Sequence, residues 1–446
     1  MSQTFAMQAR AQFQQLHDQL LNALQEGESF TLSLTGEESQ FVRLNRGRLR
    51  QTGQVEDASV TLCWMQEERQ TTRAVPLSQL LDSSALTSFL LELREELALL
   101  PNDPFVVLPT ESSKSEADFE GSLLPVEDLA SSLLAPVEGL DLIGSYVGGR
   151  AFRASANSLG GFHWFCSETF SYDYSLMTVD DKMVKGQMAG AHWDQDAYIA
   201  QLAQDREWLA LLNTPSRSLE PGTYRTYLTP GAFSEIVSHL GWGALSENSL
   251  QQGTSALLKL RKGESSFSPL FTLSEDFSLG LVPRFNSEGS LAPEQQVLID
   301  DGALKQALVS NRTAREFGLE SNAALLSESP RSMAIAGGKL PSSEVLSALG
   351  TGLYLSNLHY LNWSDQQGGR ITGMTRYACF WVEDGKIVAP IENMRFDETI
   401  YRCFGSELEA LTTEVETFPT LSTYFQRNLG GLACPGALLK GFTFTL

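Results

Sequence analysis

Short runs in which apolar and polar residues alternate, separated by glycine, recur along most of this chain and commit it to antiparallel β-structure. Four lie near the start: Phe30-Thr-Leu-Ser-Leu, Phe41-Val-Arg-Leu, Ser59-Val-Thr-Leu-Cys-Trp and Thr71-Thr-Arg-Ala-Val. A period of two puts successive side chains on opposite faces of a strand. Gly36, Gly47 and Gly53 fall between the runs, so a meander is expected. Ser145-Tyr-Val-Gly-Gly-Arg-Ala-Phe, Gly161-Phe-His-Trp-Phe-Cys and Thr169-Phe-Ser-Tyr-Asp-Tyr read as further strands, the first two separated by Asn157-Ser-Leu-Gly-Gly161. Beyond residue 217, Val297-Leu-Ile-Asp-Asp-Gly302-Ala-Leu and Phe380-Trp-Val-Glu-Asp-Gly385-Lys-Ile-Val each place an Asp-Gly pair between apolar strands. That pair tolerates the positive φ of a tight hairpin.

Helical spacing appears in fewer places. Phe13, Leu16, Leu20 and Leu24 recur at three- and four-residue steps and predict a helix over 4–26, with His17 beside the stripe as a surface residue. A second is expected over 78–99, closed by Pro101, a short one over 126–134, and another over 194–212 on Tyr198, Leu202, Trp208 and Leu212. Residues 109–125 are polar and poor in apolar side chains, and read as a linker. The fold class is therefore α+β with two domains. A helix-and-meander domain is expected over 1–216, with a candidate sub-boundary in the linker 109–125, and a β-rich domain over 217–446.

Composition excludes several classes of function. At 446 residues, 42% hydrophobic and 19% charged, the chain can bury full cores. No run approaches the ~18 apolar residues of a membrane span, and the first residues lack the basic head and apolar block of a signal peptide, so a cytoplasmic protein with no membrane partner is expected. Its 54 acidic residues outweigh 32 Lys and Arg, which opposes the counterion exchange that nucleic-acid binding requires. Arg43-Leu-Asn-Arg46-Gly-Arg48-Leu-Arg50 is the one basic stretch, and its alternation suits the solvated side of a strand. The five cysteines, Cys63, Cys166, Cys379, Cys403 and Cys434, show no CxxC spacing and read as buried apolar residues. Neither a G-x-S-x-G elbow nor a G-x-x-x-x-G-K-[ST] phosphate loop is present.

The segment from Tyr354 through Asn362-Trp363 and Gly368-Gly369-Arg370 to Phe380 is distinctive. With Asn157-Ser-Leu-Gly160, the Val297–Leu304 hairpin and the closing Cys434-Pro-Gly-Ala-Leu-Leu-Lys-Gly-Phe-Thr-Phe, it resembles, in order, the motifs of the TldD/PmbA peptidase family. The resemblance runs from about residue 30 to the C-terminus, and what it implies for the fold is a two-domain TldD/PmbA-like architecture. In the family's active, TldD-like branch, H-E-x-x-G-H and a distant Cys hold zinc, and the Glu activates water. Such chemistry needs fixed nitrogen or sulfur ligands, an open coordination position and a carboxylate base. Carried over residue by residue, the first His is His239, the Glu is Leu240, the Gly is Gly243 and the second His is Ala244. Cys434 matches the distant Cys. Only the remnants His239 and Cys434 survive, as in the PmbA/TldE-like, metal-free branch.

The resemblance thus implies a subunit with no catalytic residue and no metal of its own. It also implies a TldD-like catalytic subunit carrying the zinc, and unfolded or leader-type peptides as substrate. Two other readings stay open: a homodimer that binds peptides without cleaving them, and a peptidase using Cys434 near His239. Gly368, Gly369, Arg370 and Trp363 are the candidate substrate-binding or cavity residues, through strand addition at a glycine turn. Glu235 could share a helical face with His239, but an ordinary surface glutamate is expected there.

Overall fold

The computed structural model describes residues 4–445. Helix α1 (Phe5–Ala23) begins at Thr4, whose hydroxyl accepts the Met7 N–H, and packs Ala9, Phe13, Leu16 and Leu20 inward. Three strands follow, β1 (Glu28–Asn45), β2 (Arg48–Gln66) and β3 (Arg69–Pro76), then α2 (Ser83–Leu99), capped by Asp82. Next come β4 (Lys114–Phe119), α3 (Val126–Leu134), β5 (Asp141–Asn157), β6 (Phe162–Met177), β7 (Met183–Gly190) and α4 (Gln195–Leu212). The seven strands form one sheet in the order β3-β2-β1-β5-β6-β4, with β7 also on β6.

The glycines expected to end strands mostly do not. Gly36 and Gly53 sit inside β1 and β2, whose ladder runs unbroken from Glu28 opposite Gln66 to Arg43 opposite Gln51. Their role is to admit an aromatic ring. A Cβ on Gly36 would lie 2.2 Å from Cε2 of Phe152, and one on Gly53 would lie 2.5 Å from Cε1 of Phe41. The result is strands of 17 to 19 residues, about 60 Å long, more than one helix layer can cover. One end of the sheet packs Leu32, Leu34, Phe152 and Trp64 beneath α1 and α2. The other packs Val42, Leu44, Tyr146 and Tyr172 beneath α3 and α4.

Two further expectations are corrected. The polar stretch 109–125 is not a linker, since β4 within it runs parallel to β6 from Lys114 opposite Phe162 to Phe119 opposite Ser167. It is an edge strand held by main-chain bonds and by pairs such as Arg10–Glu116, so it needs no apolar face. His17 is buried rather than exposed, its Nε2 3.0 Å from the Asn157 carbonyl oxygen.

The second domain opens with β8 (Gly222–Leu228) and helix α5 (Pro230–Ser238). Short strands β9 (Leu273–Asp276), β10 (Gln295–Asp300), β11 (Ala303–Leu304) and β12 (Ser332–Ile335) lead to the long hairpin β13 (Gly352–Asp365) and β14 (Arg370–Glu383). It finishes with β15 (Lys386–Pro390), β16 (Arg395–Thr399), β17 (Leu408–Pro419) and β18 (Gly431–Phe444). Both Asp-Gly pairs turn hairpins with left-handed φ, 47° and 76° at Asp301-Gly302 and 48° and 74° at Asp384-Gly385. Because β18 pairs with both β16 and β8, the strands β18-β16-β14-β13-β8 close into a circuit. Its core takes Phe233, Ile236, Val237 and Leu240 from α5 and the turn after it.

The polar face of the N-terminal sheet meets this domain. Arg427, in the β17–β18 connection, donates from its guanidinium to the carbonyls of Gly149 and Thr169 at 2.9 and 2.7 Å. Its N–H reaches Glu37 at 2.9 Å, and its carbonyl accepts from Arg153 at 3.1 Å. Burial pushes both guanidinium groups down to about 10. His163 stacks on Phe285 at 5.3 Å, and Ser155 donates to the Ser287 carbonyl. The alternation therefore serves two partners, a helical layer on one side and a second domain on the other.

Candidate functional site

A cleft of about 770 Å³ lies where the two domains face each other. One wall comes from β7 and α4, through Lys185, Gln187, Gln201 and Trp208. The other is built by α5 with the turn after it and by β13 and β17, through Glu235, Trp242, Tyr354 and Glu416. Concave sites between domains, with a few polar groups among aromatic walls, are the usual places for ligands.

Helix α5 is the element that places the chemistry. Thr229 caps it, accepting the Ala232 N–H, and Pro230 occupies the first helical position. Its apolar face enters the C-terminal core, while Ser234, Glu235, Ser238, Gly241 and Trp242 face the cleft. His239 stands at its end, 5% exposed. The imidazole donates from Nδ1 to the Glu235 carbonyl at 3.0 Å, which leaves the lone pair on Nε2, and Nε2 has no hydrogen-bond partner among the described residues. Trp242 lies 4.5 Å from the ring centroid and Trp363 meets it edge-on at 5.7 Å. Burial lowers the pKa of His239, so the ring is held neutral.

The positions that would complete a zinc site are filled with hydrocarbon. Leu240 and Ala244 are both 0% exposed and belong to the same apolar cluster as Phe233 and Leu257. Cys434, on β18, is also 0% exposed. Burial, with the Glu416 carboxylate beside it, pushes its thiol well above the ordinary range. Among the described residues no three His, Cys, Asp or Glu side chains are gathered in a way that could hold a metal ion. A catalytic zinc site requires three such ligands and a base; the residues at these positions do not fit one. A nucleophilic cysteine requires a depressed pKa, and Cys434 has the opposite.

The glycine-turn candidates have a different place. Gly368, Gly369 and Arg370 form the β13–β14 turn and do not line the cleft. Gly368 donates to Asp365 at 3.0 Å, Gly369 (φ 67°) donates to the Gln366 carbonyl at 3.0 Å, and Arg370 reaches Asp397 at 3.4 Å. These main-chain donors are spent inside the turn, leaving none for a substrate strand. Trp363 packs on His239 instead.

The structure adds two residues that sequence reasoning set aside or missed. Glu235 is half-buried in the cleft wall, and burial raises its carboxyl pKa against the opposing pull of Lys185. Glu416 projects from β17 into the same space; its side chain reaches water, yet the surrounding protein raises its pKa as well. Perturbed carboxylates in a cleft are candidate functional groups. Helical spacing put Glu235 on the face of His239, with an ordinary surface glutamate expected; in the structure Glu235 lines the cleft and is half-buried, while His239 is buried beside it. For Glu416, within Glu414-Val-Glu-Thr-Phe, no sequence signal separated it from its neighbours.

Comparison with known proteins follows this geometry. The PmbA/TldA metallopeptidase C-terminal domain matches residues 221–446. The metalloprotease PmbA of Escherichia coli O157:H7 is 27% identical over 302 residues, which cover 65% of this chain and 62% of that protein's length. A candidate modulator of a DNA gyrase from Thermotoga maritima MSB8 superposes with a TM-score of 0.78 at 14% identity, over 97% of this chain and all of that one (100%). TldE from Thermococcus kodakarensis gives 0.75 at 14% identity, over 94% and 97%. A candidate DNA gyrase modulator from Bacteroides thetaiotaomicron gives 0.76 at 16%, over 98% of each chain. These three share the fold. No helix among the described residues is long and apolar enough to cross a membrane.

Proposed function

This chain belongs to the PmbA/TldD metallopeptidase family, and from that premise we propose that it is a PmbA/TldE-like subunit that binds extended peptides without carrying the catalytic zinc. The observation that carries the reading is the sealing of Leu240 and Ala244, in the turns after α5, in the apolar core, while Ser234, Glu235 and Ser238 of α5 line a large cleft. A Leu cannot take a proton from water, and a buried methyl cannot ligate a metal. The hydrolytic step then belongs to a TldD-like partner that supplies its own ligands.

The cleft offers a route for peptide binding. Strand β17 pairs with β18 on one side, and Leu340 bonds to the other side only as far as Thr413. Among the described residues no strand covers Glu414–Pro419 on that side, and Glu416, Phe418 and Pro419 line the cleft. An open edge of this kind accepts an extended chain through main-chain hydrogen bonds, with little demand on sequence.

The test is co-expression with a TldD-like protein, followed by metal analysis and digestion of an unstructured peptide. The complex is expected to digest the peptide, and the isolated chain to be inert with far less than one zinc per chain. One full equivalent of zinc on the isolated chain, or hydrolysis by it, overturns the reading. Peptide binding and self-association without any response to a TldD-like protein would favour the homodimer instead.

A further inference from the structure

On the wall that α4 gives to the cleft, Gln201 is tied to a carboxyl group buried behind it. Its Nε2 donates to Oδ1 of Asp205, one helical turn further on, at 2.9 Å. Asp205 is 0% exposed, and its Oδ2 accepts the Tyr174 hydroxyl of β6 at 2.7 Å. With Nε2 committed in this way, the other end of the amide, Oε1, accepts no hydrogen bond among the described residues. Oε1 is not sealed in the interior and the residue lines the cleft, so the wall presents a bare acceptor there.

The sense of that amide follows from the charge on Asp205. An ionised carboxyl only accepts, so it is met by two donors, the Tyr174 hydroxyl and the Gln201 NH2 group. A neutral carboxyl has one hydrogen to give. With the proton on Oδ2, the Tyr174 O–H would lose its acceptor inside the core, and an orphaned buried donor is costly. With the proton on Oδ1, Tyr174 keeps its bond and Gln201 receives the proton's hydrogen bond once its amide has turned over. That arrangement leaves no donor unpaired, and it swings the NH2 group toward the cleft. Burial pushes the Asp205 carboxyl up to about 6, which brings both forms within reach near neutrality.

The groups packed around Asp205 do not compete for this role. Tyr172 and Tyr174 on β6 and Tyr198 on α4 are all pushed up by burial and stay neutral. Arg206 donates to the Pro136 carbonyl at 2.7 Å, and Lys185 on β7 stands 3.5 Å from Asp173. Helix α3 contributes Leu133, with Glu127 and Asp128 exposed at its start, and the turn after it holds only Ala135, Pro136 and Val137. Strands β14 and β15 meet α4 through Phe380 and Ile387, against Trp208 and Leu209.

Resting on the peptide-binding reading above, we propose that Gln201 pairs with the main chain of the bound peptide and that Asp205 sets which group it takes: the ionised acid directs Oε1 to a peptide N–H, and the neutral acid directs Nε2 to a peptide carbonyl. Proline has no N–H, so at one position of the peptide the ionised form discriminates against it and the neutral form does not.

The experiment uses the full-length chain with isotope-labelled glutamine, and a dye-labelled unstructured peptide N-methylated at each residue in turn. In NMR spectra the side-chain NH2 pair of Gln201, identified by its loss in Gln201→Leu, should shift with a midpoint near pH 6. In Asp205→Asn, where the Asn NH2 group is a permanent donor to Gln201, the pair should not titrate. A Gln201 signal that ignores pH, or that titrates equally in Asp205→Asn, overturns the proposal without touching the peptide reading. By fluorescence anisotropy, N-methylation at one position should weaken binding about fivefold at pH 8, as loss of one neutral hydrogen bond implies, and less than about twofold at pH 5. Asp205→Asn at pH 8 should reproduce the pH 5 pattern. The same profile at both pH values overturns the proposal and leaves the peptide reading standing, whereas absence of binding by the unmodified peptide overturns both.

Discussion

Placing the H-E-x-x-G-H residues of the TldD-like branch in this chain, with Leu240→Glu and Ala244→His together, should damage the fold and fail to create a metal site. Leu240 is fully buried, so its replacement forfeits about 2–3 kcal/mol of apolar transfer free energy. A carboxylate at that depth, among Phe233, Leu257 and their neighbours, must be buried without a partner or protonated, at a cost of several kcal/mol more. An imidazole in place of the fully buried Ala244 methyl overpacks the apolar cluster around it, adding about 1–3 kcal/mol. A loss on the order of 5 kcal/mol or more is expected in a domain of this size, or a fall in Tm of about 10–20 °C. Differential scanning calorimetry with and without equimolar zinc reads both effects. The reasoning fails if the variant melts within a few degrees of the natural chain. It also fails if zinc restores the lost stability at one equivalent, because the ligands would then converge in spite of the core packing.

Three other perturbations test separate parts of the structure. Arg427→Ala leaves the carbonyls of Gly149 and Thr169 unpaired between the domains; about 3–5 kcal/mol of loss is expected, with faster limited proteolysis of the 420–430 connection. Asp205, fully buried and bonded to the Tyr174 hydroxyl, is pushed up to about 6 by burial, so the folded chain binds its proton more tightly than the unfolded chain. Stability from this group is present below the unfolded pKa near 3.8 and declines by about 3 kcal/mol as pH rises through about 6; Asp205→Asn should remove that part of the slope in melts taken across the range. Glu235→Gln should raise the melting temperature at pH 7 and not at pH 4, since burial disfavours the ionised carboxyl that Gln eliminates; equal shifts at both pH values would contradict this.

Much of the fold was legible because it depends on periodicity and turn chemistry. The α1 stripe, the Asn157–Gly161 turn and both Asp-Gly hairpins rest on local rules, and each stands where those rules put it. What failed was the inference that glycine ends a strand. Gly36 and Gly53 are set by the rings of Phe152 and Phe41, and Phe152 lies more than a hundred residues away in sequence. The β4 strand escaped for a related reason. An edge strand supported by backbone bonds shows no alternation when neither of its faces is buried. At the site, the apolar character of Leu240 and Ala244 was readable, because it depends only on which residue stands where. The cleft was not readable. Glu235 belongs to α5 and Glu416 to β17, and only the meeting of two domains gives either an environment.

The two cleft carboxylates, Glu235 and Glu416, also separate two accounts of this chain, a passive wall and a binding surface. A wall requires only shape and solubility. It is served equally well by Gln or Ser at 235 and 416, which avoid the desolvation that raises both carboxyls. A binding surface requires groups whose best partner arrives with the ligand, and such groups are costly in its absence. Glu235 illustrates the difference. Its backbone carbonyl fixes the buried His239 ring, a purely structural task that any residue at 235 would perform. Its side chain lines the cleft and makes no hydrogen bond or ion pair among the described residues. Helix α5 therefore divides its labour between core and cleft, and the cleft half is where ligand binding would have to repay the cost of burying charge.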